Sequence, residues 1–129
     1  MSDRRYTFPR TRRIRSRDEF SAVFDAGIKS AKGPLLVFAR PNGADQPRLG
    51  MSVSRKVGTA PRRNRIKRML RESFRLMQHD LPAGYDFVVV VRPHEPLMLA
   101  DYQRLLSGLF VKLHQMWQER RGENPPEAP

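Results

Sequence analysis

Residues 48–77 read RLGMSVSRKVGTAPRRNRIKRMLRESFRLM and predict a β-strand followed directly by an α-helix. Apolar and small polar residues alternate over Arg48–Ser54, which is the period of a strand with one buried face. We expect its other face, on which Arg48 and Gly50 lie, to be small, polar and open. Pro61 suits the first turn of a helix, where its missing N–H is not needed. Beyond Pro61, apolar residues recur with helical period and form one stripe: Ile66, Met69, Leu70, Phe74 and Met77.

A short helix is predicted before this strand-helix unit. Ser16 and Glu19 form the S-x-x-E pattern of a capping box, which marks a helix start. Gly27 is a natural helix end. The apolar residues between these signals share one helix face: Phe20, Val23 and Phe24.

Three more strands and a last helix complete the predicted elements. Residues 28–31 and 35–40 have strand-like patterns. A loop of turn residues separates the strand at 35–40 from the strand at 48–54, and a hairpin is the simplest connection between these two strands. The run at 86–92 is continuous and β-branched, which is typical of a strand buried on both sides. A final helix is predicted from about residue 100 to residue 120.

Together these elements predict an α/β fold of the two-layer α+β type. The order is α-β-β-β-α-β-α, with helices packed on a small four-stranded mixed sheet. The chain has 129 residues, which suits one domain and leaves no room for a second sizeable core. We expect a flexible basic arm at 1–13, the folded domain at 14–121 and a disordered tail at 122–129.

The positive charge is concentrated in two segments. Lys and Arg number 25 against 13 Asp and Glu, which gives a net charge of +12. Residues 1–17 carry a net charge of +6 and residues 55–75 carry +8, so the rest of the chain is net −2. Segments of one sign repel each other unless an anion neutralises them. The expected partner is therefore a polyanion.

Composition also excludes several classes of protein. The chain has no cysteine, which rules out disulfide scaffolds, thiolate zinc sites and cysteine nucleophiles. No apolar run approaches the roughly 20 residues that span a bilayer. No apolar segment follows the basic N-terminus as it would in a secretory signal. We therefore expect a cytoplasmic protein.

The helix predicted from Pro61 has two different surfaces. Its apolar stripe would face the sheet, which leaves cations on both flanks. Like charges at i,i+4 spacing repel, and the helix dipole disfavours cations in the first turn. The free N–H groups and arginine side chains at this end would instead bind phosphate groups together. Asn64 could bind a sugar or a base, or it could cap the helix or contact solvent. The cations are Arg63, Lys67 and Arg71 on one flank and Arg65, Arg68 and Arg75 on the other.

The segment from Arg48 to Phe74 resembles the signature of the bacterial ribonuclease P protein component family. The resemblance extends over roughly residues 13–115, and the central block is highly specific. The matching motifs are Gly50–Ala60, Arg63-Asn64-Arg65, Lys67-Arg68 with Arg71, the upstream pattern Arg15–Phe24, and the strand near Val88.

This resemblance implies that an RNA partner carries the chemistry. Ribonuclease P removes the 5′ leader of precursor tRNA, and its RNA subunit with bound Mg²⁺ is the catalyst. No catalytic residue, metal or cofactor is then expected in the protein itself. The implied partners are the RNA subunit and precursor tRNA, without a membrane or an obligate protein partner. The family also has a left-handed βαβ crossover, against the usual rule.

The resemblance further implies two sets of RNA contacts. Aromatic rings stack on single-stranded bases, and cations follow the backbone. For Phe20 and Phe24, ordinary core packing is the alternative. The predicted RNA-subunit contacts are Lys56, Arg62, Arg63, Asn64, Arg65, Lys67, Arg68 and Arg71. The predicted leader contacts are Phe20, Phe24, Phe38, Ser52 and Arg55. Further phosphate contacts are expected from Arg12, Arg13 and Arg15.

Other functions would leave other patterns. A metal-dependent nuclease needs clustered carboxylates, whereas the two basic segments contain only Asp3 and Glu72. The three histidines, His79, His94 and His114, lack ligand spacing and are interpreted as surface or packing residues. DNA readout would need polar side chains on the helix, and membrane binding would need an exposed apolar stripe. A non-enzymatic RNA-binding protein, such as a small ribosomal protein, is the main alternative.

Overall fold

The computed structural model describes residues 13–26, 28–82 and 84–122. The described residues have the predicted order of elements, with the strand ends shifted by no more than one residue. Most of the predicted arm and tail, and the predicted helix end at Gly27, lie outside the described residues. The elements are α1 (Arg17–Asp25), β1 (Lys29–Lys32), β2 (Leu35–Pro41), β3 (Arg48–Val53), a 3₁₀ turn (Arg55–Val57), α2 (Ala60–Met77), β4 (Tyr85–Val91) and α3 (Leu99–Gly122).

Local sequence explains where α1 and α2 begin. The Ser16 hydroxyl accepts a hydrogen bond from the Glu19 N–H at 3.1 Å, and the Glu19 carboxylate accepts one from the Ser16 N–H at 3.5 Å. The predicted capping box is therefore confirmed. The helix α2 begins after Thr59, whose side chain accepts a hydrogen bond from the Arg62 N–H. Pro61 lies in the first turn of α2, as predicted.

The strand order β1-β2-β4-β3 shows that the predicted hairpin is wrong. Strand β4 lies between β2 and β3, antiparallel to β2 and parallel to β3. Strand β4 is almost entirely apolar, so a place in the centre of the sheet removes its side chains on both faces from water. The loop after β2 crosses the start of β4, where the Asn42 N–H donates to the Gly84 carbonyl at 2.8 Å. Gly84 has φ +81°, and a Cβ there would lie 3.1 Å from the Ala44 carbonyl oxygen.

Strands β3 and β4 are parallel neighbours joined by α2, so they form a βαβ unit. With the antiparallel pairs β1–β2 and β2–β4, this makes the four-stranded sheet mixed, as expected. The left-handed crossover stays a prediction of the family resemblance.

The two faces of the sheet are covered differently. On one face, α2 and α3 enclose the main core, in which the rings of Phe87 and Phe110 stack with centroids 4.0 Å apart. On the other face, α1 covers a small cluster of Ile14, Val23 and Val88. The first face therefore holds the domain together, whereas the second leaves room beside α1.

Candidate nucleic-acid interface

A tight turn between β3 and α2 sets the start of the cationic helix. Gly58 has φ +152°, and a Cβ there would lie 2.5 Å from Cδ of Arg62, so the turn requires glycine. The Arg63 Nε donates a hydrogen bond to the Gly58 carbonyl at 3.2 Å, which ties the helix to the turn. Lys56 is exposed within the 3₁₀ turn. The turn therefore places Lys56 just ahead of the first turn of α2.

The first turns of α2 present cations without neutralising acids. Asn64, Arg65 and Arg68 are exposed, and Arg63 and Lys67 are half-buried. In the part of the chain that the structure describes, no carboxylate forms a salt bridge with any of these four cations. Their mutual repulsion is therefore left for an external anion to relieve.

Two other members of the predicted set differ from this pattern. Arg62 forms a salt bridge with Glu95, with Nη2 and Oε1 3.4 Å apart. Such an exposed pair contributes little to stability and can exchange for another anion. Asn64 does not cap the helix, because Thr59 is the N-cap residue. The Asn64 side chain therefore faces solvent and stays available for a ligand.

A cleft of about 370 Å³ opens between the segment at residues 13–15, strand β3 and helix α2. The Ile14 N–H donates to the Leu49 carbonyl at 2.9 Å, so the chain before α1 runs along the edge of β3. Burial lowers the pKa of the Arg71 guanidinium, and the charges of Arg13 and Arg68 lower it further. A bound anion would relieve this crowding. The lining residues include four cations and no carboxylate; the cations are Arg13, Arg15, Lys67 and Arg71.

Three phenylalanines meet where α1 crosses the sheet. The ring centroids of Phe24 and Phe38 are 4.9 Å apart in an edge-to-face arrangement, and those of Phe20 and Phe24 are 6.3 Å apart. Val23 takes the fully buried position of α1, whereas Phe24 is 37% exposed. Gly50 allows Phe20 to approach the sheet, since a Cβ on Gly50 would lie 2.9 Å from Cζ of Phe20. Phe24 is therefore open to a stacking partner.

Ser52 and Arg55 extend this surface beyond the phenylalanines. Ser52 is opposite Val90 in the register of β3 and β4, and Val90 is opposite Leu36 of β2. These three residues form a half-buried row on the same face as Phe38. Arg55 is exposed in the turn that follows β3. Four of the five predicted leader contacts thus lie on one side of the sheet, with Arg55 at its end.

The expected open face of β3 is only partly right, because Gly50 is buried and Arg48 is engaged. Arg48 donates from Nε and Nη2 to the two carboxylate oxygens of Asp86, each at 2.8 Å, and from Nη1 to Glu19 at 2.9 Å. These bonds raise the pKa of Arg48 and lower the pKa of Glu19. The fully buried Asp86 also accepts a hydrogen bond from Asn42 Nδ2 at 2.8 Å. Sequence reasoning missed this network because it depends on the β3–β4 pairing.

Two histidines make contacts within the fold. His94 Nε2 lies 2.7 Å from the Tyr102 hydroxyl, and His114 Nδ1 lies 2.8 Å from the Tyr85 hydroxyl. Over residues 13–26, 28–82 and 84–122, no three His, Asp or Glu side chains come together in a way that could hold a metal ion. Among the helices that the structure describes, none has the length and apolar character to cross a membrane.

Comparison with known proteins gives consistent matches over most of the chain. The family model described as Ribonuclease P matches residues 8–118. A Desulfovibrio desulfuricans relative named ribonuclease P protein component is 43% identical over 115 residues, which cover 88% of each chain. A relative of the same name from Photobacterium profundum is 44% identical over 111 residues. The match covers 84% of this chain and 93% of the relative.

Solved structures give the same result for the fold. The RNase P protein from Thermotoga maritima has a TM-score of 0.71 and 35% identity, and the match covers 78% of this chain and 96% of that chain. The RNase P protein from Staphylococcus aureus has a TM-score of 0.69 and 30% identity, with coverage of 80% of this chain and 94% of that chain.

Proposed function

The chain belongs to the ribonuclease P protein component family, and from this premise we propose how its two surfaces divide the work. Ribonuclease P is a ribonucleoprotein that removes the 5′ leader of precursor tRNA, and this chain is its protein component. The cations of α2 bind the RNA subunit, and the phenylalanine cluster with the half-buried row beside it binds the leader. The observation that carries this proposal is that the four cations of α2 from Arg63 to Arg68 form no salt bridge within the described residues, while α1 leaves Phe24 exposed.

The RNA-subunit surface is the solvent side of α2 with the turn before it. Folded RNA presents closely spaced phosphates, which arginine binds with two parallel hydrogen bonds. The free N–H groups at the start of α2 add to the attraction for phosphate. Exposed Asn64 can hydrogen-bond a sugar or a base edge between two arginines. The contacts are Lys56, Arg62, Arg63, Asn64, Arg65, Lys67, Arg68 and Arg71.

The leader surface is the phenylalanine cluster together with the half-buried row beside it. A leader is single-stranded, so its bases can stack on aromatic rings. Every base has a π-face, and stacking therefore tolerates many leader sequences. Ser52 offers a hydroxyl on the floor of this surface, and Arg55 offers a cation at the end of β3. The contacts are Phe20, Phe24, Phe38, Ser52 and Arg55.

The cationic cleft lies where the two surfaces meet. Lys67 and Arg71 reach it from α2, and Arg13 and Arg15 reach it from the segment before α1. We assign Arg13 and Arg15 to phosphate contacts at this boundary. Arg12 belongs to the same predicted set but lies outside the described residues.

The protein contributes binding and positive charge, and the RNA subunit contributes catalysis. We propose that the Mg²⁺ ions used in the reaction are bound by the RNA subunit, as the family resemblance implies. We assign no catalytic residue to the protein. The same proposal places the chain in the cytoplasm, with no obligate protein partner.

Reconstitution tests this proposal. The purified chain is added to a ribonuclease P RNA subunit at low Mg²⁺, where leader removal is expected to depend on the chain. The chain alone is expected to leave precursor tRNA intact. Cleavage by the chain alone that is lost on replacing an acid or a histidine would overturn the proposal. Co-purification with ribosomal RNA instead of the RNA subunit would favour a ribosomal protein.

A further inference from the structure

The helix α1 is fastened to the sheet by a chain of charged hydrogen bonds. The guanidinium of Arg48 on β3 uses two nitrogens for Asp86 on β4 and the third for Glu19 on α1. Asp86 is fully buried and cannot move without its neighbours. A lysine could not replace Arg48 here, because its single nitrogen cannot span the same two carboxylates. Arg48 is therefore a rigid link between α1 and the centre of the sheet.

The two carboxylate oxygens of Glu19 have separate jobs. Oε1 accepts from the backbone N–H groups of Arg15 and Ser16, at 3.4 and 3.5 Å, and so helps to start the helix. Oε2 accepts from Arg48 at 2.9 Å and fixes the helix over the sheet. One side chain thus defines both where α1 begins and where it lies. The two roles can be separated by changing one oxygen.

Apart from this link, α1 is held by a small apolar cluster and by the contacts of Phe20 with Gly50 and of Phe24 with Phe38. Val23 is the fully buried residue of this helix, and the apolar cluster beneath it is small. Phe20 and Phe24 follow Glu19 on the same helix, and Phe20 is partly buried whereas Phe24 is exposed. A shift of α1 would therefore change the gap between these rings and the sheet directly.

We propose that Arg48, acting through Glu19, is a positioning residue for the leader site. By fixing the distance between α1 and the sheet, it keeps the rings of Phe20 and Phe24 at the distance from the sheet that a stacked leader base requires. Arg48 touches no substrate in this role. The inference rests on the proposed leader surface and adds the element that preorganises it.

The test uses the holoenzyme with Glu19→Gln, which keeps an oxygen for the capping box and removes the acceptor for Arg48. We expect KM for precursor tRNA to rise about threefold to tenfold. We expect kcat to stay unchanged, and we expect the affinities for mature tRNA and for the RNA subunit to change no more than the loss of one negative charge accounts for. A merely structural role would instead lower the melting temperature without changing the preference for precursor.

The matched control is Asp18→Asn, which removes the same charge from the same turn of α1. Removing a negative charge alone strengthens RNA binding generally, so this control separates charge from position. Equal behaviour of Glu19→Gln and Asp18→Asn would overturn the proposal. An equal loss of affinity for precursor and mature tRNA would also overturn it.

A second variant keeps the test independent of one substitution. Arg48→Lys retains the charge, and Asp86 still has Arg40, whose Nη2 lies 3.9 Å from its Oδ2. We expect Arg48→Lys to reproduce the rise in KM.

Phe24→Ala tests the leader surface itself. If Phe24→Ala reduces the precursor preference and both linkage variants keep it, the positioning role is wrong and the leader surface stands. If Phe24→Ala keeps the preference too, the leader surface is wrong.

Discussion

The two faces of the sheet are held by different forces. On the α2–α3 face, large side chains such as Phe74, Phe87 and Phe110 are fully buried against one another. On the α1 face, a small apolar cluster is supplemented by the hydrogen bonds of Arg48. Burial is strong and non-directional, whereas charged hydrogen bonds depend on geometry. The difference indicates that one face supplies stability and the other supplies a surface whose geometry is set by directional hydrogen bonds.

The largest expected effect is on stability, and it should differ between the faces. Phe87→Ala removes a stacked ring from the main core and should lower the free energy of unfolding by about 4 kcal/mol. Val23→Ala removes less area beneath α1 and should cost about 2 kcal/mol. Urea unfolding of both variants measures the difference. Equal costs would mean that the α1 face is as much a core as the other.

Salt should act strongly on RNA binding. If about six to eight phosphates are neutralised, the affinity for the RNA subunit should fall about a thousandfold or more between 50 and 200 mM salt. Filter binding or titration across this range measures the slope. A nearly flat response would contradict the assignment of the basic segments to RNA.

A single arginine of α2 should have a smaller effect. Arg65→Ala should weaken binding to the RNA subunit by about tenfold and reduce the salt slope by about one. Arg104→Ala is the matched control, because Arg104 is an exposed arginine on α3 that pairs with Asp101. The control should leave the affinity unchanged. Comparable losses for both variants would show that total charge, and not the α2 surface, determines binding.

The smallest expected effect is the loss of fold stability at acidic pH. The bond from Arg48 lowers the pKa of Glu19 below its ordinary value of 4.5, so this carboxylate stabilises the fold above that value. The contribution is lost as the pH falls through the lowered pKa. Stability of the parent protein should therefore fall more between pH 6 and pH 3 than that of Glu19→Gln, by about a few tenths of a kcal/mol. Parallel pH curves would contradict a stabilising link.

Local patterns predicted the helices well and the sheet order poorly. The capping box of α1 and the apolar stripe of α2 depend on residues a few positions apart, so sequence alone reveals them. The position of β4 depends on which long-range pairing buries the most apolar surface. The hairpin between β2 and β3 was predicted only from the proximity of these strands along the chain.

The same limit explains what was missed at the site. The cations of α2 are adjacent in sequence, and a family motif covers them. Arg48 and Asp86 are 38 residues apart and meet only because β3 and β4 are neighbours. The sequence signal for a buried partner was Asp86, a single acid at the start of the apolar strand β4.

The central claim is that the RNA-subunit surface on α2 and the leader surface beside α1 bind different RNA targets. The most direct measurement compares Arg65→Ala and Phe24→Ala in the same holoenzyme, recording RNA-subunit affinity and the ratio of precursor to mature tRNA affinity. We predict that Arg65→Ala lowers only the first quantity and that Phe24→Ala lowers only the ratio, by about tenfold. If Phe24→Ala weakened precursor and mature tRNA equally, or if both variants changed the same quantity, the claim would be contradicted.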